Sequence, residues 1–219
     1  MTSKAAALRA RLERPGLISA PGVYDMISTR IAERMGFDAL YMTGFGVVAS
    51  YLGLPDAGLA TYTDMVWRVD QICTIARTPL IADADTGYGG LLNVAHTVRG
   101  YVKAGAAALQ FEDQEFPKKC WHTPFRRVIP TADMVEKIKV ACDSRQSKDF
   151  LVIARTDASS AAGLSPAELR ERRPRAAACP RAHCTVEFRK CRPRRAFLFR
   201  PVSVESKRLL PVVRPLVAD

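Results

Sequence analysis

Short apolar runs that alternate with helix-type patterns constrain the fold of this chain more than any other feature of its sequence. Five runs have the length of β-strands and end in polar residues; they cover residues 17–24, 38–43, 80–83, 107–111 and 150–154. Between them, apolar residues recur at helical spacing over residues 26–35, 63–76, 91–103 and 131–142, with Thr63 as the predicted cap of the second helix. Such alternation is typical of a parallel α/β fold, whose enzymes keep their sites at the carboxyl ends of the strands.

The third apolar run ends in two acids just before a glycine-rich turn. In a strand, residues two apart point to the same face, so Asp83 and Asp85 are predicted to leave the strand together. Their mutual repulsion favours a hard divalent cation with oxygen ligands between them. Glu112 follows 27 residues after Asp85, close to the length of a strand, a crossover helix and a parallel strand. The sequence therefore predicts three carboxylates that meet at neighbouring strand ends.

The positive charge of the chain is confined to its C-terminal quarter. The net charge is +11, but residues 1–163 carry only +2 and residues 164–219 carry +9. Because the tail has no aromatic stacking pattern and no recognised binding motif, we expect no nucleic-acid role. We also expect no membrane role, since no uncharged apolar run approaches the roughly 18 residues of a membrane span. The first residues lack a secretory signal, and the six cysteines form no zinc-type pair. A reducing, cytoplasmic location is the expectation.

The chain changes character after Gly163. All 13 glycines lie at or before that residue, whereas the last 56 residues hold twelve arginines and half of the 14 prolines. Helix stops and tight turns need glycine, and the apolar clusters at 196–199 and 212–213 do not repeat the pattern of a strand ending in acids. We therefore predict a partial catalytic domain over residues 1–163 and an irregular basic tail over 164–219. A shifted reading frame in a GC-rich gene and a divergent tail that binds an acidic partner both account for this composition.

Seven motifs in order carry a family resemblance: PGVYD at 21–25, YMTGFG at 41–46, LGLPD at 52–56, DADTGYG at 83–89, FEDQ at 111–114, KKCWH at 118–122 and ARTDA at 154–158. Through them, residues 15–158 resemble the isocitrate lyase and phosphoenolpyruvate mutase superfamily. The resemblance implies an α/β barrel of the (β/α)8 type, here reduced to about five βα units. It also implies Mg²⁺, with Mn²⁺ as an alternative, and a small 2-oxo or 2-hydroxy acid as the partner. The family's tetramer commonly exchanges C-terminal helices, and this tail offers none to exchange.

The resemblance also implies which residues hold the metal. It assigns Asp83 as a direct ligand, with Asp85, Glu112 and Asp56 nearby or acting through water. This agrees with the preference of Mg²⁺ for one or two carboxylates and several waters. For Asp56, the alternative is ordinary turn chemistry.

A second group of residues is implied to bind the substrate. Thr43, Gly44 and Phe45 match the turn whose backbone N–H groups hold the substrate carboxylate. Arg155 is the best second carboxylate partner because its planar fork binds one bidentately, and its alternative is an ion pair with a strand-end acid. Tyr41 matches a position that faces the site, although a strand tyrosine also serves as core.

The loop at 114–131 carries the residues that distinguish the family's lyases. Its KKCWH segment is similar to the lyase signature, so Lys118, Cys120 and His122 are predicted catalytic residues. In the lyases such a cysteine protonates the carbanion released when the carbon–carbon bond breaks, and two adjacent lysines favour its thiolate. The departure is Trp121, where the signature has glycine. The general base is left open between Tyr41 and a water on the metal.

Three functions follow from these residues. The first is a Mg²⁺-dependent lyase that cleaves a small 2-hydroxy di- or tricarboxylic acid to a 2-oxo acid and a carboxylic acid. The second is oxaloacetate decarboxylation or phosphonate chemistry on the same metal site. The third is a non-catalytic product of such a gene, because the last three strands of a barrel are missing from the pattern and an open five-stranded arc exposes two edges.

Overall fold

A parallel β-sheet that follows the order of the chain forms the centre of the protein. The computed structural model describes residues 3–120, 123, 125–158, 184–185 and 196–199. Within them, five parallel strands lie side by side in sequence order: β1 (Ile18–Val23), β2 (Leu40–Met42), β3 (Leu80–Asp83), β4 (Ala108–Glu112) and β5 (Leu151–Arg155). The predicted α/β fold is confirmed. Trp121, His122, the boundary at residue 163 and most of the tail lie outside the described residues.

Six helices occur among the described residues: α1 (Lys4–Leu12), α2 (Met26–Arg34), α3 (Gly44–Leu52), α4 (Tyr62–Ile75), α5 (Leu91–Lys103) and α6 (Thr131–Ser144). The predicted cap of α4 at Thr63 was wrong. Thr61 caps it, because its hydroxyl accepts from the Asp64 N–H while the Asp64 carboxylate accepts from the Thr61 N–H. This reciprocal capping box is possible only three residues before Asp64.

The two faces of the sheet have different partners. On one face Leu40, Leu80, Leu109 and Val152 pack in a large core that also contains apolar residues of α2 to α6. The other face is a smaller core of Tyr41, Ile81, Leu151 and Ile153, which Leu8 of α1 joins. Because the strand order never reverses, the crossover helices lie on one side, as in a barrel wall and unlike a doubly wound sheet.

Two short strands fall within residues 164–219, where the sequence analysis predicted none. Strand β6 (Cys184–Thr185) pairs parallel with β5, and β7 (Ala196–Phe199) pairs antiparallel with β1. The backbone edges of β1 and β5 offer hydrogen-bonding groups that any added strand satisfies. A side-chain pattern does not reveal such pairing.

Among the described residues, no helix combines the length and the hydropathy that crossing a bilayer requires.

Candidate active site at the carboxyl ends of the strands

Asp83, the last residue of β3, is held by groups from β2, from the start of α3 and from the turn after β3. Its Oδ2 accepts a hydrogen bond from the Gly44 N–H at 3.1 Å, and its Oδ1 accepts from the Asp85 N–H at 2.9 Å. The phenol of Tyr41 on β2 also hydrogen-bonds to this carboxylate; burial and then the negative charge of Asp83 raise the pKa of Tyr41 well above its ordinary value. A Cβ at Gly44 would lie 2.8 Å from Asp83 Oδ2, so this close approach of the carboxylate to the start of α3 requires glycine at position 44.

The backbone at Asp85 departs from the predicted strand. Strand β3 ends at Asp83, and Asp85 has a φ of +55°, in the left-handed region. The prediction that both acids leave one strand face by simple alternation was therefore wrong, because alternation holds only for extended backbone. The turn nevertheless brings the Asp85 carboxylate toward the same end of the sheet, where its Oδ1 accepts from the Thr86 N–H at 2.7 Å.

Lys118 occupies the centre of the acidic cluster. Its Nζ lies 2.7 Å from Asp85 Oδ2 and 2.9 Å from Asp56 Oδ1, and its side chain is 5% exposed. Burial alone lowers the pKa of an ammonium, but the carboxylates of Asp85, Asp83, Glu112 and Asp56 outweigh burial and raise the pKa of Lys118. Burial raises the pKa of the Asp85 carboxyl, and Lys118 opposes that shift. The Lys118 ammonium thus neutralises part of the negative charge of these carboxylates.

Glu112, Arg155 and Asp157 form a second charged group at the ends of β4 and β5. Arg155 Nη1 lies 2.9 Å from Glu112 Oε2, while its Nε and Nη2 bind the two oxygens of Asp157 at 2.9 and 3.0 Å. Burial raises the pKa of Glu112 to about 8, with Arg155 opposing the shift and Asp157 adding to it. Arg155 is engaged by two carboxylates of the chain itself, which is the geometry of the ion pair that the sequence analysis left as an alternative.

The turn predicted to bind a substrate carboxylate begins helix α3. The Thr43 N–H donates to Val23 O at 3.0 Å, and the Thr43 side chain accepts from the Gly46 N–H as the helix cap. The Gly44 N–H is directed at Asp83, as described above, and the Phe45 side chain is half exposed. The helix start therefore faces the acidic cluster, with its backbone donors turned toward anions.

The donor set fits a water-rich magnesium site. In the part of the chain that the structure describes, no three His, Cys, Asp or Glu side chains are grouped so as to hold an ion by themselves. The convergence of three carboxylates on one ion is therefore not seen; Asp85 and Asp56 share Lys118, and Glu112 is drawn to Arg155. Mg²⁺ requires only one or two carboxylates and completes its shell with water and substrate oxygens. Asp83 and Asp85 supply two such carboxylates.

Several residues of the site were missed by the sequence analysis. Gln114 binds both Glu112 and Asp157, and Arg126 Nη1 lies 3.0 Å from Asp157 Oδ2. Asp113 accepts hydrogen bonds from the Thr156 hydroxyl and the Asp157 N–H. The sequence did contain a signal for Asp157. It lies two residues after Arg155 at the end of a predicted strand, just as Asp85 lies two residues after Asp83. Arg126 lies in the long loop and has no such signal.

Cys120 is partly buried in the same loop. Its carbonyl oxygen accepts from the Thr123 N–H at 2.8 Å. His122 lies outside the described residues, so its catalytic role stays a prediction.

Comparisons with known proteins agree on one family. The family model for phosphoenolpyruvate phosphomutase matches residues 8–183. The 2,3-dimethylmalate lyase of Eubacterium barkeri is 48% identical over 163 residues, which are 74% of this chain and 56% of that enzyme. A solved structure of oxaloacetate acetylhydrolase with the inhibitor 3,3-difluorooxalacetate superposes with a TM-score of 0.79 at 40% identity, covering 86% of this chain and 65% of that one. Phosphonopyruvate hydrolase in complex with oxalate and Mg²⁺ gives a TM-score of 0.77 at 32% identity, covering 85% and 63%.

The chain spans about half the length of the curated relatives it matches.

Proposed function

This chain belongs to the phosphoenolpyruvate phosphomutase family, and on that premise we propose that it carries the site of a Mg²⁺-dependent carbon–carbon lyase. The substrate class is a small 2-hydroxy di- or tricarboxylic acid, which is cleaved to a 2-oxo acid and a carboxylic acid. The observation that supports the proposal best is the set of partly or fully buried carboxylates, Asp83, Asp85 and Asp56, with Lys118 from the loop that carries Cys120.

Asp83 would hold the metal directly, with Asp85, Glu112 and Asp56 nearby or acting through water. Bound there, the ion would stabilise the negative charge that develops on the oxygens of the departing enolate-like fragment. Tyr41 and the Gly44 N–H hold the Asp83 carboxylate in place through the contacts described above. Lys118 balances part of the acidic charge, which lets several carboxylates stay ionised side by side.

The reaction needs one proton removed and one delivered. A base takes the substrate hydroxyl proton, the carbon–carbon bond breaks, and its electron pair remains on the departing carbon. Cys120 then donates its thiol proton to that carbon. The loop at 114–131 is closed at its base by the pairing of Gln114 with Val128. Its role in the proposal is to shield the carbanion from water.

Release of a 2-oxo acid tests the proposal. Malate-, citrate- and isocitrate-like acids are incubated with the protein, with and without Mg²⁺, and the 2-oxo acid is trapped and quantified. Cys120→Ser is expected to lower the rate by about two to four orders of magnitude, the usual contribution of a general acid. The matched control is Cys73→Ser, a buried thiol on α4 away from the strand ends. Metal-independent turnover, or full activity of Cys120→Ser, contradicts the assignment.

A second candidate is decarboxylation of an oxaloacetate-type acid or hydrolysis of a phosphonate on the same metal site. It is supported by the similarity to oxaloacetate acetylhydrolase and phosphonopyruvate hydrolase. Activity that requires Asp83 but survives the loss of Cys120 selects this candidate.

The location and assembly are part of the same proposal. We expect a cytoplasmic enzyme that acts on a free acid, without nucleic acid or membrane. Light scattering after size-exclusion chromatography tests whether this chain forms the tetramer that the family resemblance implies.

A further inference from the structure

Gln114 joins the charged group at the ends of β4 and β5 to the backbone of the loop at Lys119. It follows β4 and is 3% exposed. Its Nε2 donates to Glu112 Oε1 at 2.6 Å and to Asp157 Oδ2 at 2.8 Å, and its Oε1 accepts from the Lys119 N–H at 3.1 Å. Two carboxylates require donors and a backbone N–H requires an acceptor, so only one orientation of the amide satisfies all three partners.

The contact with Lys119 lies beyond the paired base of the loop. Backbone hydrogen bonds join Glu115 to Arg127 and Ile129 to Asp113 at 3.0 and 2.8 Å, which closes the base. The segment that carries Lys118 and Cys120 extends past this ladder. The Gln114 side chain reaches into that segment and fixes its backbone at the residue between them.

We propose that Gln114 is a positioning residue that couples the orientation of the Glu112 carboxylate to the placement of the loop segment carrying Lys118 and Cys120. The importance of those groups rests on the proposed function, but the coupling itself is a property of the hydrogen bonds. The bond from Gln114 Nε2 to the Asp157 carboxylate is charge-assisted, which is the stronger kind of hydrogen bond. Because Gln114 Nε2 is bound to Glu112, the amide is oriented so that Gln114 Oε1 accepts from the Lys119 N–H.

The chemistry at position 114 requires an amide. Methionine has a similar length and offers neither donor nor strong acceptor, so Gln114→Met removes both halves of the connection. Glutamate keeps an acceptor for Lys119 but adds a third carboxylate between Glu112 and Asp157. Gln114→Glu is therefore expected to break the contacts of residue 114 with Glu112 and Asp157 through repulsion of like charges.

The placement of the loop is measured without metal or substrate. The full chain is treated briefly with trypsin, and separately with iodoacetamide, and peptide mass spectrometry gives the rate of cleavage after Lys118 and Lys119 and the rate of alkylation of Cys120. Gln114→Met is expected to raise both rates by about tenfold or more, as loss of a hydrogen bond to a charged group implies. The matched control is Gln110→Met, because Gln110 is equally buried on β4 and its Oε1 accepts no hydrogen bond within the described residues. That variant is expected to leave both rates within about twofold.

Two results overturn the inference. One is an unchanged rate at Lys118, Lys119 and Cys120 in Gln114→Met. The other is an equal rise at tryptic sites of α6, such as Lys139, which would mean a general loss of stability. If Gln114→Met does not fold, Gln114→Glu is judged by the same two criteria. Absence of 2-oxo acid release from the wild type would count against the proposed function and leave this comparison intact.

Discussion

Removing the Asp157 carboxylate should destabilise the protein far more than breaking an exposed ion pair of similar length. Asp157 binds Arg155 through two hydrogen bonds, and it also accepts from Arg126 and Gln114; all these contacts are between 2.8 and 3.0 Å. The side chains of Asp157, Arg126 and Arg155 are 8%, 5% and 19% exposed. Asp157→Ala therefore leaves two buried guanidinium groups without one of their acids.

The expected magnitude follows from this burial. Removing one partner of a buried ion pair costs about 3–5 kcal/mol, because an uncompensated charge remains in a poorly solvated place. Arg155 retains Glu112 at 2.9 Å, so we expect the lower end, about 3 kcal/mol. Asp157→Asn keeps the shape and one acceptor, and about 2 kcal/mol is expected, the value of a hydrogen bond to a charged group.

The free energy of unfolding in urea, followed by circular dichroism, checks these values. The matched control is Glu136→Ala, because Glu136 pairs with Lys139 at 2.7 Å but both side chains are about half exposed. That change should cost only about 0.3–0.5 kcal/mol. Equal effects of Asp157→Ala and Glu136→Ala would refute the reasoning that burial, and not distance, sets the strength of the network. A broad transition without cooperativity in the wild type would favour the non-catalytic reading of this chain.

Three further outcomes are expected. Chelation of divalent ions should abolish 2-oxo acid release and added Mg²⁺ should restore it, whereas Asp83→Ala should lower the rate by about two orders of magnitude at every Mg²⁺ concentration. Gly44→Ala should raise the Mg²⁺ concentration for half activity, because its Cβ would lie 2.8 Å from Asp83 Oδ2. Gly90→Ala is the control, since no atom lies within 4 Å of its Cβ, and it should leave that concentration unchanged. The same Mg²⁺ concentration for half activity in both variants would contradict the role of Gly44. Burial raises the pKa of Cys73 to about 11, so at pH 8 only about one Cys73 thiol in a thousand is ionised. The alkylation of Cys73 should therefore be at least about tenfold slower than that of Cys120, and its rate should rise with pH.

The order of elements was readable from the sequence because its signals are local. Apolar periodicity, capping residues and glycine stops act within a few residues, and they located α5 at residues 91–103 and each of the first five strands to within a few residues. The same local reasoning failed at the cap of α4, where Thr61 lies only two residues before the predicted Thr63. It also failed at Asp85, where a left-handed backbone ends the strand's alternation.

The sequence predicted which residues belong to the candidate site, its acids as well as Lys118, Arg155 and Tyr41, but not which of them pair with one another. Acids at strand ends meet because parallel strands share a carboxyl edge, and this places Asp83 and Glu112 on neighbouring strands. The sequence did not predict which cation pairs with each acid. Lys118 lies 62 residues from Asp56 and 33 from Asp85 in the chain, and no spacing rule predicts that its ammonium enters the cluster.

The sequence alone determined the parallel α/β architecture, the family and the oxygen-rich chemistry of the strand ends, because these depend on residue type and on spacing along one element. The tertiary structure decided which charges meet: Lys118 with Asp85, Arg155 with Glu112, and Gln114 between strand and loop. Electrostatic and hydrogen-bond energies depend on separations of a few ångströms and on burial. Those separations exist only once distant segments have been folded against one another.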